Sequence, residues 1–104
     1  MIFIETSQFT ATIDNYLNDD EYRELQNYLL ENSNAGAIIR GSGGIRKLRW
    51  AARGKGKSGG IRVIYYWAPT PEHIYLLTVY GKGEQENIDA ATLKRIAKLM
   101  EKLK

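Results

Sequence analysis

Cationic side chains are the most concentrated reactive groups in this sequence of 104 residues. Residues 32–71 contain eight bases and no acid, whereas residues 1–31 contain seven acids and one base. Like charges packed along one segment repel each other, so we expect a polyanion, most simply a nucleic acid, to bind residues 32–71. The alternative is that the acidic N-terminal helices fold back and neutralise the segment. Its bases are Arg40, Arg46, Lys47, Arg49, Arg53, Lys55, Lys57 and Arg62.

Most of the familiar catalytic residue sets are missing. The sequence has no cysteine, which excludes disulfides, thiolate nucleophiles and thiolate metal sites. The single histidine, His73, follows a predicted turn, and we expect it at a surface or edge position. No group of His, Asp and Glu has metal-ligand spacing, so we expect neither a metal nor another cofactor. The acids fall mainly in predicted helices, which does not favour a two-carboxylate site.

The elements that carry the cations are predicted from periodicity and turn signals. Short turns between consecutive strands favour antiparallel pairing. We therefore predict an α+β fold of a single domain over residues 1–104, in the order β-α-α-β-β-β-α, with an antiparallel meander and the helices packed on one face. The strands are predicted over 2–6, 45–51, 61–67 and 73–80. The helices are predicted over 8–17 (Ser7 as N-cap), 20–32 (capped by Asp19 or Asp20) and from Asn87 or Asp89 to about Leu103.

Strand alternation predicts which cations share a face. Lys47 and Arg49 point to one side of their strand, and Arg46 points to the other. Arg62 lies inside an apolar run, where its planar guanidinium could bind a phosphate through two parallel hydrogen bonds. We expect Lys47, Arg49 and Arg62 to be presented together. The alternative for Arg62 is an edge arginine paired with a helix carboxylate.

A glycine-rich basic loop separates the two central strands. Its sequence, Gly-Lys-Gly-Lys-Ser-Gly-Gly at 54–60, lacks the spacing of a phosphate-binding loop and precedes a strand instead of a helix. We predict a mobile basic hairpin loop. The alternative is a solvated linker.

The motifs together resemble those of a known family. Arg-x-Ile-Tyr-Tyr at 62–66 and Tyr-Leu-Leu-Thr-Val-Tyr-Gly-Lys-Gly-Glu at 75–84 are similar to the RelE/HigB toxins of bacterial type II toxin-antitoxin systems. Gly-Gly-Ile-Arg-Lys-Leu-Arg at 43–49 and the loop at 54–60 resemble the HigB-like branch in particular. The resemblance covers essentially the whole chain, in element order as well as in motifs.

The resemblance implies a cytoplasmic messenger RNA endoribonuclease, or mRNA interferase, that enters the ribosomal A site and inhibits translation. It implies metal-independent attack by the RNA 2′-hydroxyl that leaves a 2′,3′-cyclic phosphate, and a neutralising, DNA-binding antitoxin of the HigA type. No stretch of about 20 apolar residues suggests a membrane helix. Two rivals are a non-catalytic RNA- or ribosome-binding module on the same basic sheet and a member whose catalysis has decayed. A DNA-binding role is disfavoured, because no helix-turn-helix carries the bases.

The resemblance also assigns residues. Arg62 would stabilise the charge of the phosphorane, and Lys47, Arg49 and Lys82 would complete the catalytic set. The sequence departs from the RelE pattern at Gly83, where RelE has an arginine, and in the final helix, which lacks the base-stacking tyrosine. The RNA-binding positions would be Arg46, Arg53, Lys55, Lys57, Tyr66 and Tyr80, with Tyr80 or Tyr66 taking the stacking role.

Overall fold

The computed structural model describes residues 1–51, 60–69, 72–84 and 90–103. These residues form a five-stranded sheet and three helices, which confirms the predicted α+β class. One strand, only two residues long, was absent from the predicted element order. In chain order the elements are β1 (Ile2–Glu5), α1 (Ser7–Ile13), α2 (Asp19–Glu31), β2 (Ala37–Ile38), β3 (Ile45–Trp50), β4 (Ile61–Pro69), β5 (Glu72–Gly81) and α3 (Ala90–Leu103).

The caps of the first two helices lie one or two residues before the predicted ones. Thr6, not Ser7, caps α1 by accepting a hydrogen bond from the Phe9 backbone N–H. Asn18, not Asp19 or Asp20, caps α2, and with Glu21 it completes a reciprocal capping box that satisfies two helix-end donors. The positions predicted to cap α3 lie outside the described residues. None of these helices, as far as they are described, is long and apolar enough to cross a membrane.

The sheet has the strand order β1-β5-β4-β3-β2. Strands β3, β4 and β5 form the predicted antiparallel meander. The edge strand β1 instead runs parallel to β5, with Ile2 opposite His73 and Glu5 opposite Leu76. Consequently β4, which carries Arg62, lies at the centre of the sheet and is not an edge strand.

The helices cover both faces of the sheet, so the prediction that they pack on one face is wrong. Helices α1 and α2 pack on a first core that includes Val63 and Tyr65, whereas Leu93 of α3 packs in a second core that includes Ile64 and Tyr66. Consecutive residues of a strand point to opposite faces. Because β4 and β5 are apolar on both, each face needs cover.

A β-bulge in β5 changes which residues face which core. The register pairs Ile64 with Thr78 and then Tyr65 with Leu76, so Leu77 is an extra residue on β5. The bulge keeps Val79 in the first core and Tyr80 in the second. As a result, the end of β5 presents Tyr80 to the same face as Arg62.

Candidate nucleic-acid interface

The strand register brings three of the predicted site residues onto one face. Arg49 of β3 lies directly opposite Arg62 of β4, and Lys47 lies directly opposite Ile64. Since Ile64 belongs to the second core, Lys47, Arg49 and Arg62 all lie on the face of the sheet that α3 partly covers. We call these three residues the cation group.

Arg62 lies next to Tyr80 in the sheet. The residues are directly opposite each other on β4 and β5, Arg62 is half-buried and Tyr80 is buried. The Nη1 atom of Arg62 lies 3.4 Å from the carbonyl oxygen of Ile61. Burial raises the pKa of the Tyr80 hydroxyl, and the positive charge of Arg62 opposes that rise. Arg62 and Tyr80 therefore lie side by side on the same face of the sheet.

Lys82 lies beside the cation group in a tight turn that ends β5. Its backbone N–H donates to the carbonyl oxygen of Gly60, 3.2 Å away, next to the start of β4. The N–H of Glu84 donates to the carbonyl oxygen of Gly81, and Gly83 has a φ of 86°, as the third position of a type II turn requires. The Lys82 side chain is exposed.

The carboxylate of Glu84, which the sequence analysis did not single out, stabilises this turn. The Oε1 atom of Glu84 accepts hydrogen bonds from the Tyr16 hydroxyl at 2.8 Å and from the Gly81 N–H at 2.9 Å. Burial raises the pKa of Tyr16, and the hydrogen bond and charge of Glu84 raise it further. A glycine three residues before a glutamate was the available signal, but nothing in the sequence identified Tyr16 as the partner.

The structure does not bring Arg46 to the cation group. Arg46 lies opposite Tyr65, on the first-core face, and its Nη1 atom donates to the carbonyl oxygens of Asn34 at 3.1 Å and Gly36 at 2.8 Å. These bonds hold the connection between α2 and β2. Strand alternation predicted this opposite face, and there the Arg46 guanidinium bonds to the protein's own backbone.

The two tyrosines predicted to contact bases are buried in the second core. Tyr66 is 7% exposed and Tyr80 is 6% exposed. The Tyr66 ring packs against Tyr75, with 6.2 Å between ring centroids. In this structure neither ring presents a free surface on which a base could stack.

The remaining predicted groups lie elsewhere. Arg53, Lys55 and Lys57 are outside the described residues. His73 is half-buried, packs edge-on to the Tyr75 ring and lies opposite Ala68, at the other end of β4 from Arg62. Among the residues that the structure describes, no group of three or more His, Cys, Asp and Glu side chains could hold a metal ion.

The acidic helices lie across the sheet from the cation group. Helices α1 and α2 pack on the first core, on the other face, and the carboxylates of Asp19, Asp20 and Glu24 are exposed. The described structure therefore does not support the alternative that these helices fold back to neutralise Lys47, Arg49 and Arg62.

The fold of this chain is shared with a protein of solved structure. No family model matches the sequence. Among solved structures, the chain is similar to toxin RelE of E. coli, in a double arginine-to-alanine mutant in the free state. The TM-score is 0.56 and the sequence identity 16%, and the match covers 95% of each chain. At this identity the comparison establishes the shared fold.

Proposed function

We propose that this chain is the toxin of a type II toxin-antitoxin system, of the HigB-like branch, and that it cuts messenger RNA on the ribosome. The RelE-like fold supports the toxin class, and the motifs at 43–49 and 54–60 support the branch. The proposed location is the cytoplasm. The proposed partners are the translating ribosome with its mRNA and a DNA-binding antitoxin of the HigA type.

The observation that carries the proposal is the direct opposition of Arg49 and Arg62 on neighbouring strands. Like charges directly opposite in a sheet destabilise it, and Lys47 adds a third positive charge on the same face. A bound phosphate would convert this repulsion into two sets of charge-assisted hydrogen bonds. An RNA backbone supplies that phosphate.

The proposed reaction needs only RNA and these side chains. The 2′-oxygen forms a bond to the adjacent phosphorus while the bond from phosphorus to the 5′-oxygen breaks, which leaves a 2′,3′-cyclic phosphate and a 5′-hydroxyl. Arg62, assisted by Arg49, stabilises the negative charge of the pentacovalent phosphorus. Lys47 and Lys82 supply the proton transfers, one from the 2′-hydroxyl and one to the leaving oxygen.

The test is cleavage by the purified chain of an mRNA bound to programmed ribosomes, compared with the same mRNA free in solution. We expect cleavage in the A-site codon and a 2′,3′-cyclic phosphate at the new end. An mRNA with a 2′-deoxy nucleotide at that position should bind but stay intact. Binding without cleavage of either RNA would instead assign the non-catalytic binding module on the same face.

A further inference from the structure

We propose that Glu84 and Tyr16 are positioning residues that hold the Lys82 turn in register with the cation group. This role rests on the proposed function of Lys82. Neither residue touches the RNA in this account. Both act through the backbone that carries Lys82.

The turn is fixed from three directions. The Gly81 N–H donates to Glu84 Oε1 at 2.9 Å, the Glu84 N–H donates to the Gly81 carbonyl at 3.1 Å, and the Lys82 N–H donates to the Gly60 carbonyl at 3.2 Å. Glu84 thus closes the turn on itself through its backbone and its side chain. The bond to Gly60 then ties the turn to the strand that carries Arg62.

The two glycines of the turn are explained by this arrangement and not by space for a ligand. A Cβ atom on Gly81 would overlap Oε1 of Glu84. Gly83 needs its positive φ of 86°, while a Cβ there would meet open space. The sequence Gly-Lys-Gly-Glu at 81–84 therefore specifies a carboxylate-closed turn with a lysine at its exposed corner.

Tyr16 connects the turn to the protein core. Its side chain is 8% exposed and belongs to the first core, and its backbone N–H donates to the Ile13 carbonyl at 3.0 Å. An exposed glutamate alone retains rotamer freedom, and its ordering costs entropy. The 2.8 Å bond from the buried Tyr16 hydroxyl restricts Glu84 to the conformation that receives the Gly81 N–H.

Loss of either residue should loosen Lys82 without removing a charge that contacts RNA. Misplacement of a reacting group by about 1 Å can cost on the order of a hundredfold in rate. The expected signature is a slower chemical step at unchanged affinity. A merely structural role would instead lower the amount of folded protein and leave the rate per folded molecule unchanged.

The experiment compares Tyr16→Phe, Glu84→Ala and Glu84→Gln with wild type, and with Tyr22→Phe as a matched control. Tyr22 also donates its hydroxyl to a glutamate, Glu5, which lies opposite Leu76 and not at the turn. Single-turnover cleavage on programmed ribosomes should fall about tenfold or more in Tyr16→Phe and Glu84→Ala, with the half-saturating concentration unchanged. Glu84→Gln should recover most of the rate, because its amide oxygen can accept both bonds. Tyr22→Phe should cleave like wild type.

Hydrogen exchange in the free protein tests the positioning without any assay of cleavage. The Gly81 and Lys82 amides should exchange faster in Tyr16→Phe and Glu84→Ala than in wild type, and should stay protected in Tyr22→Phe. Protection unchanged in all variants, or equal rate losses in Tyr22→Phe, would overturn the proposal. If wild type does not cleave, the proposed function fails, and the exchange result alone decides whether Tyr16 and Glu84 hold the turn.

Discussion

At the scale of single residues, Lys82 occupies the exposed corner of a turn whose backbone is bonded to Gly60 beside the cation group. We predict that Lys82→Ala lowers cleavage on programmed ribosomes by about a hundredfold, as expected when one proton-transfer group is lost. The variant should fold normally, since the Lys82 backbone N–H makes the structural bond and the side chain is exposed.

The control for Lys82→Ala is Arg23→Ala, which removes a cation from the exposed surface of α2 on the other side of the sheet. It should leave the cleavage rate unchanged. Cleavage by Lys82→Ala within a factor of about three of wild type would assign Lys82 to the surface and not to the site.

The face of the sheet on which each residue lies could be predicted from the sequence where the strands are regular. A period of two placed Lys47 and Arg49 together and put Arg46 on the opposite side, and the register agrees. The Glu84–Tyr16 bond could not be predicted, because it joins residues 68 positions apart and depends on how the end of α1 meets the end of β5. The periodicity of the sequence carries no information about a tertiary contact of this kind.

At the scale of elements, Gly60 joins β3, β4 and the Lys82 turn. It has a φ of 77°, and a Cβ there would overlap the carbonyl oxygen of Trp50. We predict that Gly60→Ala lowers the free energy of unfolding by about 2–4 kcal/mol, the sum of left-handed strain and displaced strand backbone. Urea unfolding measures this change.

Gly41→Ala is the matched control for Gly60→Ala. Gly41 also has a positive φ, 76°, but a Cβ there would meet open space. Gly41→Ala should therefore lower the free energy of unfolding by the conformational strain alone, about 1 kcal/mol. If both variants lose the same free energy of unfolding, the close approach of Gly60 to Trp50 does not contribute to stability.

The element types were predictable, but part of their arrangement was not. Alternation and turn residues located β3, β4 and β5 and their antiparallel pairing. The parallel pairing of β1 and the side taken by α3 depend on chain crossovers that no local pattern specifies. The apolar residues on both faces of β4 were the available signal that one layer of helices could not suffice.

At the scale of the whole molecule, charge is segregated between the two faces of the sheet. The described cation group lies opposite the acidic helices, and Lys55 and Lys57 are predicted to extend it. Each phosphate contact contributes a little under one unit to the log–log salt dependence of binding. We predict that Lys55→Ala combined with Lys57→Ala flattens this slope by roughly one to two units.

The measurement for the loop variant is ribosome binding over a range of salt concentrations, followed by single-turnover cleavage at saturating ribosomes. The rate of the bound complex should change little, and Arg23→Ala should leave the slope unaltered. A large loss of rate at saturation, with the slope unchanged, would place a proton-transfer group in the loop.

Stability at high pH depends on tyrosines whose pKa the fold raises, most clearly the half-buried Tyr22. Burial, followed by the hydrogen bond to Glu5, raises the pKa of Tyr22 well above its usual 10.0. The unfolded chain loses this proton near pH 10 while the folded chain keeps it, so the stabilising contribution is complete below pH 10.0 and declines as the pH rises above it. We predict that Tyr22→Phe unfolds more easily at neutral pH but loses stability less steeply above about pH 10.

Urea unfolding at a series of pH values from about 8 to about 12 measures how steeply the free energy of unfolding falls in each protein. The raised pKa of Tyr22 requires a steeper fall in wild type than in Tyr22→Phe. Equal slopes for Tyr22→Phe and wild type above about pH 10 would contradict it.

The central claim is that the face carrying Lys47, Arg49 and Arg62 performs RNA cleavage. The most direct measurement is single-turnover cleavage by Arg62→Ala on programmed ribosomes, at concentrations that saturate binding. Arg62 is proposed to stabilise the negative charge of the transition state, so we predict a rate at least about a hundredfold below wild type, which is a rise of roughly 3 kcal/mol in the activation free energy. Ribosome binding should change little. Cleavage at the wild-type rate by a well-folded Arg62→Ala protein would contradict the account.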